Sequence, residues 1–141
     1  MRRFAALSLA VTAVLGSALI AATSGCGSRT VFVGDFPAML RPADLVSASP
    51  PYGDTRESPP IDVVLEFARP ITKDCKISVW LDDRQVDAGD GGVMLGSDNK
   101  LQVSVESSSG EGLYRVEYAV HWRGGGADDG RYYFRVKRMT K

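Results

Sequence analysis

Few side chains in this 141-residue chain can hold a metal ion or move a proton. There is one histidine, His121, and there are two cysteines, Cys26 and Cys75. Imidazole is the main protein donor to Cu(II) in tetragonal surroundings, and a soft thiolate suits Cu(I). A site that needs two imidazoles cannot be built within one copy. Copper could still be held by a set drawn from His121, Cys75, Met39 and Met94, within one chain or across a dimer. The plainer reading makes His121 a solvated strand residue and Cys75 a partly buried, inert thiol. No nucleophile-elbow pattern and no Ser-His-Asp or Cys-His grouping accompanies His121, so catalysis is not expected.

Acids, glycines and aromatics supply the other candidates. Asp82, Asp83, Asp87 and Asp90 crowd into one stretch. Calcium needs several convergent oxygens, but the spacing departs from the EF-hand loop, and Asp-Gly pairs are common turn chemistry. Asp128-Asp129-Gly130 reads as a hairpin turn on the same grounds. Gly124-Gly125-Gly126 would cradle phosphate only ahead of a helix N-terminus. A strand pattern follows instead, so these glycines read as positive-φ turn residues. Trp80, Trp122 and Tyr133 form a candidate partner surface, because Trp and Tyr anchor protein interfaces. The alternative places them in a small cluster beneath residues 27–42.

Period-two alternation sets the elements that carry these groups. Val63, Leu65 and Phe67 share one face, as do Ile77, Val79 and Leu81, and Leu101, Val103 and Val105. Tyr114, Val116, Tyr118 and Val120 alternate in a fourth segment, and Tyr132, Phe134 and Val136 in a last one. Such patterns mark half-buried strands. Breaks fall at 50–53, 59–60, 82–83, 88–92, 107–112 and 124–126. The expectation is an all-β, Ig-like, antiparallel Greek-key β-sandwich of about seven strands in a single domain, residues 43–138. Gly112-Leu113-Tyr114 has the form of a tyrosine corner, in which the phenol bonds back to upstream backbone. His121 follows Val120 and is expected to point away from the apolar face.

Two stretches carry a family likeness. Gly112, Tyr114 and Val116, then Gly130, Phe134 and Val136, fit the last hairpin of the CopC-type copper-resistance family without a gap. Ala43, Leu45, Ser47, Ser49, Pro50, Gly53, Leu65, Phe67 and Pro70 fit its opening in order. The chain thus resembles that family over residues 42–137. The resemblance implies a Cu(II) carrier with imidazole and carboxylate ligands. It also places the family's leading His on Pro42, and its loop Asp and His on Gly124 and Gly126. Sliding the alignment recovers Asp129 but puts Arg131 at the His position, and a guanidinium only donates. The family's ligand motif is therefore missing.

The ends bound the setting. Arg2 and Arg3 precede an apolar run from Phe4 to Ala22 and then Thr23-Ser24-Gly25-Cys26. This is a secretory signal pattern over residues 1–25, and it resembles a bacterial lipoprotein signal with Cys26 as the lipidated first residue. The alternative is an uncleaved helix near the lower length limit for a span. With Cys26 acylated, Cys75 is the sole thiol. With Cys26 free, a Cys26–Cys75 bridge is available in an oxidising compartment. Residues 26–42 are expected to be a tether or an added edge segment. Lysines plus arginines and aspartates plus glutamates are 17 each; residues 1–25 hold two arginines and no acid, so the mature charge is −2. That excludes a nucleic-acid partner and weighs against charge-driven adhesion to anionic lipid. The chain therefore reads as an extracytoplasmic, membrane-anchored, noncatalytic binding module that meets an unknown envelope protein. Copper handling at a rebuilt site is the second reading.

Overall fold

The computed structural model describes residues 32–41 and 44–138. The expected signal, Cys26 and Pro42 lie outside them. Among the described residues there are eleven strand segments: β1 (Phe32–Val33), β2 (Phe36–Pro37), β3 (Leu45–Ser49), β4 (Thr55–Arg56), β5 (Asp62–Phe67), β6 (Lys76–Leu81), β7 (Arg84–Gln85), β8 (Gly92–Val93), β9 (Lys100–Ser104), β10 (Gly112–His121) and β11 (Ala127–Val136). One sheet has the order β4-β11-β10-β6-β7, and the other β3-β5-β9-β8; β1 and β2 form a separate ribbon. The Ig-like β-sandwich expected from the alternation is what forms. Its strand count exceeds seven because β1, β2, β4, β7 and β8 are two residues each. Such short ladders show no periodicity in a sequence. The sheets are antiparallel except that β4 runs parallel to β11.

The period-two rows become the core. Val63, Leu65 and Phe67 from β5 and Leu101 and Val103 from β9 meet Val79, Tyr114, Val116, Tyr132 and Phe134 from the facing sheet, all essentially solvent-free. Burial of alternate side chains fixes register, because a one-residue slip would turn each row to water. β10 and β11 pair from Gly112↔Val136 to His121↔Ala127 without a bulge.

The hairpin turn corrects one expectation. Asp128, Asp129 and Gly130 lie within β11, and the reversal occurs at 123–126. Gly125 and Gly126 have φ of 98° and 90°, which lets the chain reverse there before the Asp-Gly pair is reached. Gly130 serves a different purpose. A Cβ at this position would overlap the Tyr118 hydroxyl and stand 2.7 Å from the Leu40 carbonyl oxygen. The phenol of Tyr118 thus lies across the strand where a glycine leaves room.

The described part of the 26–42 segment packs on the domain. Leu40 and Arg131 exchange two backbone hydrogen bonds of 2.9 Å. Phe36 meets Tyr52 edge-on at 6.1 Å, and the Tyr52 hydroxyl donates to the Pro37 carbonyl at 3.2 Å. This segment therefore straps the free side of β11.

The tyrosine corner is present. Tyr114 donates to the Gly110 carbonyl at 2.5 Å, and its oxygen is 2.7 Å from Ser109 Oγ. Tyr114→Phe is expected to lower unfolding free energy in urea titrations by about 1–3 kcal/mol, since the buried Ser109 hydroxyl would lose its partner and the Gly110 carbonyl its donor. Tyr118→Phe should leave stability unchanged or raise it, because the Tyr118 hydroxyl finds no hydrogen-bond partner among the described residues.

Candidate functional site

Cys75 and His121 become neighbours through the β6–β10 pairing. The His121 N–H donates to Cys75 Sγ at 3.2 Å, and the thiol faces the His121 carbonyl at 3.7 Å. The thiol is buried, at 4% exposure. The imidazole is on the other face of the sheet, exposed, as alternation requires. Cys75 therefore closes the end of the β6–β10 ladder through backbone groups, with its side chain turned away from the imidazole. Met39 packs partly buried against the core from the strap, and Met94 stands at the β8–β9 turn of the opposite sheet. Among the described residues, no group of three or more His, Cys, Asp or Glu side chains is placed to hold a metal ion.

The loop that the resemblance associates with ligands is a tight reversal, Arg123-Gly124-Gly125-Gly126. Trp122 N–H donates to the Gly126 carbonyl, and Gly125 N–H to the Trp122 carbonyl, both at 2.9 Å. Trp122 itself is not part of an exposed aromatic surface. It is 5% exposed, with its ring 5.6 Å from Phe67 and the Arg69 guanidinium 4.3 Å above it. Arg69 is held there by Asp44, at 2.7 Å. The signal was available in the sequence: Trp122 continues the row Tyr114, Val116, Tyr118, Val120, and period two carries it inward.

Trp80 and Tyr133 remain on the outer face of the five-stranded sheet, half-buried. Both lie directly across from Arg115 on β10. The Arg115 guanidinium is 5.5 Å from the Trp80 ring. Its Nε and Glu117 Oε1 stand 2.9 Å apart as an ion pair, without hydrogen-bond alignment. A shallow groove of about 600 Å³ crosses this face between Leu40 and Arg131 at one side and Gln85 and Asp87 at the other, with Ser78 and Ala119 on its floor. Its depth follows from those two small side chains. Alternation alone marks which residues point out, but only the strand order sets Trp80, Arg115 and Tyr133 in one row.

The acidic stretch is engaged in building loops. Asp87 accepts from Val79 N–H at 2.8 Å and Gly89 N–H at 3.0 Å. Asp90 accepts from the Ser104 N–H at 2.9 Å and the Ser104 hydroxyl at 2.7 Å. Asp82 takes a positive φ of 53° in the β6–β7 turn. Asp87 and Asp90 bind backbone donors in separate places, and the acids of this stretch do not converge on a cation.

The CopC domain family profile matches residues 45–137. The fold is similar to the crystal structure of CopC from Methylosinus trichosporium OB3b, with a TM-score of 0.62 and 23% identity over 70% of this chain and 96% of that one. It is also similar to PcoC, a methionine-rich copper resistance protein from Escherichia coli, with a TM-score of 0.54 and 19% identity over 67% and 97% of the two chains. A comparison with curated proteins returns no match.

Hydrogen bonds from the Ser104 N–H, then its hydroxyl, hold the Asp90 carboxyl below the usual carboxylate range. A depressed folded value stabilises the fold above the unfolded value, and the gain is lost as pH falls through the folded one. Asp90→Asn should therefore melt at lower temperature than the parent at neutral pH, and the gap should narrow in strong acid.

Proposed function

This chain belongs to the CopC family, and from that premise we propose that it is an exported, lipid-anchored, noncatalytic member. It acts by surface contact at the cell envelope and does not carry Cu(II) in the family manner. One observation carries this reading. The turn to which the resemblance assigns imidazole and carboxylate is Arg-Gly-Gly-Gly, and the chain's single imidazole projects from the outer face of a sheet. Cu(II) selects nitrogen and oxygen donors that converge. A shared fold does not transfer a site whose residues have changed. The row Trp80, Arg115 and Tyr133 supplies the contact surface instead.

Copper handling at a rebuilt site is the second reading, favoured by the 3.2 Å approach of the Cys75 thiol to the His121 backbone. It requires the end of β10 to open, because the two side chains leave opposite faces of the sheet. Titration of the mature chain with Cu(II) and with Cu(I), each against a competing chelator, separates the two readings. The first expects no tight stoichiometric complex. One-to-one binding that disappears in His121→Ala would overturn it, and loss in Cys75→Ala as well would assign the ion to both residues. Palmitate labelling that depends on Cys26 tests the anchor.

A further inference from the structure

The two sheets sort charge unequally. Outward positions of β11 are Asp129, Arg131, Tyr133 and Arg135, and exposed Lys137 follows at the next step of the alternation. Outward positions of β10 include Arg115 and Glu117, and those of β6 are Lys76, Ser78 and Trp80. Lys76, Arg115, Arg131, Arg135 and Lys137 against Glu117 and Asp129 leave this face at +3, in a mature chain of −2. Asp87, at the rim, accepts two backbone N–H groups, and its formal negative charge brings the face together with its rim to +2. The opposite sheet turns out Asp62, Glu66 and Lys100, a net −1. Packed sheets lie about 10 Å apart, beyond the Debye length of about 8 Å at physiological salt. A surface touching the basic face therefore responds to its local charge more than to the net charge.

The chain also enters along this face. Leu40 pairs with Arg131, and Arg135 covers Phe36 at 5.2 Å and donates to the Asp35 carbonyl. Cys26 precedes β1 by six residues, which reach at most about 20 Å. A lipid on Cys26 would hold the start of β1 within that distance of the bilayer, and residues 36–40 lead from there onto the edge of this face.

We infer that this face docks on anionic phospholipid headgroups of the membrane to which the chain is tethered. The inference rests on the envelope-contact reading above and names its partner. Cations near an anionic bilayer add attraction individually, and Trp and Tyr rings favour headgroup depth. An acidic protein would satisfy the charges equally well. The short tether favours the bilayer.

The test uses the chain from residue 26 onward with Cys26→Ser, which keeps every described strand and carries no acyl group. It is sedimented with vesicles of phosphatidylcholine alone or with one third phosphatidylglycerol. Binding is expected only to the anionic vesicles, weakening with salt. Trp80 emission should shift to the blue, a change absent in Trp80→Phe. Lys76→Gln, Arg131→Gln and Lys137→Gln should each weaken binding roughly fivefold, with melting temperatures unchanged. Lys100→Gln on the opposite sheet should not. Absence of vesicle binding, equal binding to neutral vesicles, or an equal loss in Lys100→Gln would overturn the inference. Capture of an acidic protein by this face without vesicle binding would do the same. Labelling at Cys26 is read separately, so a lipidated chain whose face ignores headgroups defeats the docking and spares the anchor.

Discussion

Burial of one side-chain row on β10 governs the rest of the molecule. Tyr114, Val116, Tyr118 and Val120 point into the sandwich, and Trp122 extends the row past the strand end. β10 lies between β6 and β11, so its phase sets theirs. Phe134 stacks on Tyr114 at 4.9 Å, and Phe67 reaches across from the other sheet to both Tyr118 and Trp122. Turning any of these aromatics to water would forfeit a large buried area. Every residue on the outer face holds its position because that inward row cannot move.

This arrangement needs no bound ion to hold its shape. The hairpin turn needs reversal geometry, and glycines with positive φ provide it without any metal. Cys75, the remaining thiol of the described structure, closes a ladder end and sits buried. Asp87 and Asp90 accept backbone N–H groups. The Cys75 thiol and the Asp87 and Asp90 carboxylates are thus engaged in the fold, whereas the His121 imidazole stands exposed on the outer face.

Residue patterns made much of this legible. The five long alternating runs became strands at nearly the expected limits, and Tyr114 took the corner role that Gly112-Leu113-Tyr114 signalled. Two-residue ladders such as β4 and β7 were not legible, since they arise from edges that happen to meet. Asp128-Asp129-Gly130 resembled a turn because Asp-Gly favours turns locally. The glycines before it and the Tyr118 phenol against Gly130 overrode that preference.

The chain's own order of residues determined the sandwich class, the composition of the core and the poverty of metal ligands, because these depend on residue type and on a period of two. Tertiary structure decided the rest. It separated the Cys75 thiol from the His121 imidazole, drew residues 32–41 along β11, and gathered scattered cations from three strands onto one face. Those outcomes depend on which strands become neighbours, and strand order is set by packing between segments far apart in the chain.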